Sequence, residues 1–237
     1  MSGLIMFIFT ITYYMGMTTK GSVVALVSGG PDSAVLLQSL AGRFSRVFPV
    51  YIRAGLRWER AELKALKGLL SAVHFPRVAP LRVMFLPARD VYGAHWSITG
   101  RRTPGIRSAD RSVYLPGRNL LLIAKAAVLC PGLKAGSIAI GTLRGNPFGD
   151  GTRCFRYDMG KAVSRALETR IRVIAPFARL RKEEVLRSGR GLPLHRTFSC
   201  LSPSGRLHCG KCNKCAERRA AFRAAGIPDQ TRYAGHG

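Results

Sequence analysis

Acidic residues are scarce in this chain of 237 residues: 12 Asp and Glu stand against 38 Lys and Arg, a formal net charge of +26. The shortage excludes a neutral surface. It sets up a positive field that attracts polyanions such as nucleotides, RNA, acidic lipids or an acidic protein. The bases are dispersed rather than gathered in one tract, so a solvated Arg-rich face accounts for them equally well. Low-complexity runs and internal repeats are absent, and Gly and Pro punctuate turns instead of massing in a linker. Near the start, residues 4–14 are apolar and aromatic but too short to span a bilayer. They also lack the basic flank and small-residue cleavage site of a signal peptide. Residues 1–20 are expected to be an extension from an upstream start, with Met15 or Met17 as alternative starts; an interfacial anchor is the lesser reading. Of six cysteines, only Cys130 and Cys154 lie outside one C-terminal cluster. That usage excludes a secreted disulfide scaffold and points to a reducing, cytoplasmic compartment.

What is present suits one α/β domain, with 47% hydrophobic content. The pattern predicts strands over 23–27, 47–52, 81–86, 137–141 and 172–174. Helices are predicted to open at 32, to span 60–73, 119–129 (capped by Asn119) and 159–169, to open at 182, and to span 215–225, where Gly226 ends the chain's last helix. Strand and helix alternate, which signals a doubly wound parallel sheet. Residues 89–114 have no periodicity and read as a long loop at the mouth of the site. Residues 21–190 are expected to form the nucleotide-binding domain and 191–237 a metal-binding segment packed on it.

After the first strand stands Ser28-Gly29-Gly30-Pro31-Asp32-Ser33. Glycines allow positive φ and close approach of backbone amides to an anion, and the helix behind adds free amides and a positive dipole end. The candidate nucleotide-binding stretch runs from Leu26 and Val27 through this loop to Ala34, Val35 and Leu36. Asp32 is a candidate to orient the loop or to hold magnesium. No Lys follows the glycines, so the loop is not of the Walker type. An ordinary Gly-rich turn is the plainer alternative. The hexapeptide resembles the loop of N-type ATP pyrophosphatases, which implies cleavage of ATP between the α and β phosphates and adenylation of a substrate.

Cys200, Cys209, Cys212 and Cys215 follow a C-x8-C-x2-C-x2-C spacing. Four thiolates satisfy a tetrahedral zinc ion and leave no open position, the pattern of a structural site. Gly210 suits a tight turn, Lys211 and Lys214 are expected to offset charge, and His208 is a spare ligand. Reduced core thiols and an iron–sulfur cluster are the competing readings.

With both motifs in hand, the chain resembles the 7-cyano-7-deazaguanine synthases, the nitrile-forming ligases of queuosine biosynthesis. The resemblance rests on the Ser28 loop and on Tyr51-Ile52-Arg53-Ala54-Gly55-Leu56-Arg57 with Glu59 and Glu62. It extends through Leu115-Pro116-Gly117-Arg118-Asn119-Leu120, Pro176 with Lys182-Glu183-Glu184-Val185, and Ser199-Cys200 with the Cys209 to Cys215 run. Asp229-Gln230-Thr231-Arg232-Tyr233 matches near the end. It implies ATP as co-substrate, a small deazapurine carboxylate and ammonia as the other reactants, structural zinc and magnesium. Arg118 is a candidate catalytic residue: a cation at a helix N-terminus opposes the dipole unless it faces an anion. Where such synthases carry Asp followed by Ser-Gly-Tyr-Pro-Asp-Cys-Arg, this chain has Gly145-Asn146-Pro147-Phe148-Gly149-Asp150-Gly151-Thr152. Asp150 is the candidate to recognise a guanine-like ring. Asp150, His95 and Glu59 are candidates for a general base.

Two rivals stand beside this reading. One is a pyrophosphatase that modifies tRNA directly, which the charge favours; the other is a degenerate nucleotide-binding module. A homodimer is compatible with the sequence, and so is tRNA or another polyanion as partner.

Overall fold

In the computed structural model the described residues are 19–235. The expected extension over 1–20 therefore lies outside them, apart from its last two residues, which open the first strand. The strands are β1 (Thr19–Leu26), β2 (Phe44–Arg53), β3 (Arg82–Phe85), β4 (Ala135–Ala139) and β5 (Arg172–Ile174). The helices are α1 (Pro31–Ala41), α2 (Glu59–Ala72), α3 (Arg89–Tyr92), α4 (Trp96–Thr99), α5 (Arg118–Ala127), α6 (Arg153–Ala166), α7 (Lys182–Ser188) and α8 (Asn213–Ala225).

The strands form one five-stranded sheet in the order β3-β2-β1-β4-β5. Every pairing is parallel. Parallel strands covered on both faces need apolar residues at successive positions. Val23, Val24 and Ala25 meet that demand, each fully buried. Side chains alternate across the pleat. Val23, Ala25 and Tyr51 face a layer containing Leu36, Leu37 and Leu40 of α1, Leu66 and Leu69 of α2, and Phe222 of α8. Val24, Val50 and Ile138 face Ile123 of α5 and Met159 and Val163 of α6. Winding reverses between β1 and β4, and at that switch the loops after the two strands part and leave a crevice.

The structure moves several expected boundaries. The helix expected over 159–169 begins six residues earlier, because the Thr152 hydroxyl accepts from the Phe155 N–H and caps it. The 89–114 stretch is not bare loop. It holds α3, α4 and a 3-10 turn at Asp110–Val113. Trp96 of α4 stacks on Trp58 with centroids 5.7 Å apart. The middle of the stretch is tied to the C-terminal segment, where Asn213 N–H donates to the Pro104 carbonyl at 3.0 Å and Asn213 Nδ2 to the Ser108 carbonyl at 2.8 Å. Asn119 does not cap α5. The helix starts at Arg118 behind Gly117, which has φ 67°, a left-handed geometry that favours glycine. Among the described residues no helix is long and apolar enough to cross a membrane.

Candidate active site and metal centre

The loop after β1 closes on itself. Ser28 N–H donates to Ser33 Oγ at 2.8 Å, the two hydroxyl oxygens lie 3.1 Å apart, and Gly30 N–H donates to Ser28 Oγ at 3.1 Å. Neither Gly29 nor Gly30 has positive φ. Of the two reasons expected for these glycines, positive φ does not apply and close approach does, with Gly29 the crowded one. A Cβ on Gly29 would run into the Glu62 carbonyl and come within 2.9 Å of Glu62 Cγ. The loop is thus pressed against α2, which sets its height over the sheet edge.

A cleft of about 480 Å³ opens over this loop at the β1–β4 switch. One wall carries Ser28, Gly30 and Asp32; the other carries residues 141–148 after β4. Trp58, Glu62 and Arg118 stand across its end. Asp32 accepts from Lys182 Nζ through Oδ2 at 2.6 Å, while its Oδ1 is buried without a hydrogen-bond partner. Lys182 also meets Glu217 at 3.1 Å, and Glu217 pairs with Lys214. The four side chains form an alternating row of charge. Burial alone would raise the Glu217 carboxyl, but the Lys182 and Lys214 ammoniums hold it down at about 2. Burial would likewise lower Lys182, but Asp32 and Glu217 raise it above its ordinary range. Glu217 and Lys182 are therefore both charged at neutral pH.

Glu62 behaves differently. It is 7% exposed, accepts from the Tyr51 hydroxyl at 2.7 Å, and burial raises its carboxyl pKa, an effect that Arg118 partly offsets. Arg118 Nε is buried with no partner of its own. Asp150 is committed elsewhere: Oδ2 accepts the Asn119 N–H at 2.9 Å and Oδ1 the Asn119 side-chain amide at 3.4 Å. Its carboxylate satisfies a free donor of the first turn of α5, the helix that carries Arg118. Glu59 is 3% exposed and spends both oxygens on the N–H groups of Ala54 and Gly55. His95 Nδ1 caps α4 through Ser97 N–H at 3.3 Å. The sequence singled out the Ser28–Ser33 loop and Arg118, and the fold brings them together. It did not single out Lys182, Glu217 or Glu62 as site residues. Lys182 and Glu62 lay in quoted segments, whereas Glu217 lay in none, two residues past Cys215.

The four cysteines converge at the start of α8. Their sulfurs all lie within 4.8 Å of one another and could hold one metal ion. Cys212–Cys215, Cys200–Cys212 and Cys209–Cys215 sulfur distances are 3.5, 3.9 and 4.0 Å. Of the two lysines expected to offset charge, Lys214 is turned to Glu217. Backbone N–H groups of Leu201, Ser202, Cys209 and Lys211 point at the sulfurs instead, at 3.2–3.4 Å. Gly210 has φ 73°, as a tight turn requires. His208 is no ligand: its Nε2 accepts the Ser199 N–H at 3.2 Å and its ring lies 4.5 Å from that of Phe198. Cys212 is the N-cap of α8, which begins two residues before the expected start at Cys215.

The family model of the queuosine biosynthesis protein QueC matches residues 22–226, a span that contains the loop, the cleft and all four cysteines. The chain belongs to the QueC family. A 7-cyano-7-deazaguanine synthase 1 of Desulfitobacterium hafniense (strain Y51) is 33% identical over 86% of this chain and 92% of its own length. A 7-cyano-7-deazaguanine synthase of Methanopyrus kandleri is 30% identical over 90% of this chain and 98% of its own length. Among solved structures, a 4-thiouridine synthetase–RNA complex with bound ATP matches at 15% identity and a TM-score of 0.45, over 87% of this chain and 50% of that one. A likeness at that level carries no argument about this QueC-family chain.

Proposed function

We propose that this protein is an ATP-dependent carbon–nitrogen ligase that converts 7-carboxy-7-deazaguanine and ammonia to 7-cyano-7-deazaguanine. The observation that carries the reading is the cleft at the β1–β4 switch of a QueC-family chain. There the Ser-Gly-Gly-Pro-Asp-Ser loop faces Arg118 and Glu62 in one cavity large enough for a nucleotide and a base. A substrate carboxylate oxygen attacks the α-phosphorus of ATP and pyrophosphate leaves. Ammonia attacks the acyl adenylate, AMP leaves, and the amide forms. A second ATP takes the amide oxygen in the same way, and loss of AMP with a proton leaves the nitrile.

The chain's own groups supply charge stabilisation. Lys182 and the N–H groups at the head of α1 face the leaving pyrophosphate, and Arg118, with its free Nε, faces the carboxylate or the adenylate. Glu62 accepts N–H donors of the ring. Asp150 acts indirectly, through the placement of α5. The unpartnered Oδ1 of Asp32 fits a magnesium ligand, and magnesium there would screen phosphate charge. The four sulfurs would hold structural zinc: Zn–S bonds of about 2.3 Å in a tetrahedron place sulfurs about 3.8 Å apart, against the 3.5–4.0 Å found for three pairs.

Mass spectrometry of the product from ATP, ammonia and carboxydeazaguanine tests the reading. The expected result is the nitrile with two AMP formed per nitrile. An amide as final product, or no pyrophosphate release, overturns it.

A further inference from the structure

The acids and bases of α2 are sorted by the fold. Glu59 and Glu62 are 3% and 7% exposed and turn inward. Arg60, Lys64 and Lys67, at i, i+4 and i+7, share the outer face. Arg57 stands one turn before them, and Arg53 ends β2. Arg206 comes up from the loop between Cys200 and Cys209. Together these six cations line a groove of about 750 Å³, closed at the side by Pro203 and Gly205. Among the described residues, Arg53 has the buried Glu59 at 3.7 Å, and no ion pair involves Arg57, Arg60, Lys64, Lys67 or Arg206. Like charges at these spacings repel, so the arrangement favours an outside anion.

The groove is separate from the ATP cleft. The two share no lining residue, and the cleft holds Asp32, Glu62, Asp110 and Glu217, whereas no acid lines the groove. Lys64 and Arg206 also border a second hollow of about 400 Å³ that adds Arg196 and Arg232, again with no acid. The positive track therefore runs on toward the C-terminal segment. At its other end Phe85 is 59% exposed, with the Arg53 guanidinium 5.4 Å from its ring centroid.

We infer that this groove binds single-stranded RNA, its cations following the phosphodiester backbone while Phe85 and Arg53 offer a stacking face to an unpaired base. A row of evenly spaced cations beside an exposed aromatic is the arrangement that holds single strands. A concave, cation-lined channel follows a flexible polymer better than it meets a flat lipid surface or a rigid duplex. Among cellular polynucleotides, RNA is the one that regularly presents unpaired loops and ends.

Anisotropy of a fluorescein-labelled poly(A) RNA oligonucleotide, titrated with the full chain across a salt series, tests the inference. R60E/K64E is expected to weaken binding by about tenfold or more and to lower the slope of log K against log salt by about 1.4, at about 0.7 per phosphate contact. R165E/R170E changes net charge equally on and beside α6, which packs on the opposite face of the sheet from α2. It is expected to weaken binding less than about twofold. If the glutamate pair fails to fold, R60Q/K64Q carries the test, with the same loss of slope expected. Pyrophosphate release with carboxydeazaguanine should be unchanged in every variant, which separates this inference from the ligase reading. No binding at low salt, equal loss in R165E/R170E, or tighter binding to duplex DNA or phosphatidylserine vesicles than to the RNA overturns it.

Discussion

At the scale of single residues, the row Asp32–Lys182–Glu217–Lys214 is the most charged feature of the cleft. Asp32 is half engaged: one oxygen holds Lys182 and the other is buried without a partner. An unsatisfied buried oxygen costs about 1–3 kcal/mol, so it is kept where a ligand will fill the position. Asp32→Asn keeps the shape and removes the charge. Expected is a loss of pyrophosphate release of at least about hundredfold, with the melting temperature shifted by only a few degrees. Wild-type turnover in this variant would remove Asp32 from the site. Glu217 gives a prediction in pH. Its carboxyl sits at about 2 against an ordinary 4.5, so the folded state favours the charged form. That contribution is complete above pH about 4.5 and fades as pH falls toward 2. Glu217→Gln should therefore lower stability at neutral pH, and the gap to wild type should close over that window in urea melts. A gap that persists at the acid end contradicts the assignment.

At the scale of elements, α5 and α2 position the site. The N-terminus of α5 carries a cation, Arg118, where the dipole disfavours it. The Asp150 carboxylate at the Asn119 N–H supplies the missing negative charge. Asp150→Ala removes this contact at the head of the helix and is expected to cost about 0.5–2 kcal/mol, the range for a lost N-cap, seen as a lower melting temperature. Because Arg118 moves with the helix, acceptor KM is expected to rise as well. An unchanged melting temperature with weakened acceptor binding would show that Asp150 contacts the ring directly. Contact between α2 and the Ser28–Ser33 loop yields a second case. Gly29 lies against the Glu62 backbone, which cannot yield as a side chain tip can. Gly29→Ala should destabilise by about 1–3 kcal/mol, as overpacked sites do, with loss of ATP binding; a variant of wild-type stability would argue against the close approach.

At the scale of the whole molecule, residues 191–235 are tied to one another and packed onto the core of the sheet. Arg218 is 2% exposed and binds Thr231 Oγ1 at 2.7 Å, Thr197 Oγ1 at 3.0 Å and the Leu194 carbonyl at 2.8 Å. Phe222 joins the core beside α1. Cys200 and Leu201 border the cleft, and Asn213, next to Cys212, holds the 89–114 stretch. The cysteine cluster thus lies in one piece with the mouth of the cleft. Cys212→Ser is expected to lose its metal, about one ion per chain in wild type by the four-thiolate count, and to loosen both segments, because binding and local folding are coupled. Elemental analysis and proteolysis at residues 89–114 check this. Iron with visible absorption, or full metal content in the variant, would refute a zinc site of these four ligands.

Legibility in the sequence followed distance along the chain. The parallel sheet showed in short apolar runs, because a strand buried on both faces must be apolar at every position. The Ser28–Ser33 loop and the cysteine spacing were readable because each is made largely of neighbours in sequence. Asp32 and Lys182 stand 150 residues apart, and only the packing of α7 beside α1 makes them partners. Asp150 read as an acid without a partner, and the fold set Asn119 against it. Glu62 appeared to be one more helix acid until burial placed it at the end of the cleft. The positive charge was dispersed in sequence, and helical period together with a facing loop gathered it into one groove. Local periodicity and motif spacing belong to the chain, and so the five strands, the six longer helices, the loop and the cysteine cluster could be read from it. Which charged groups are paired, buried or free depends on long-range packing, and the fold alone sets it.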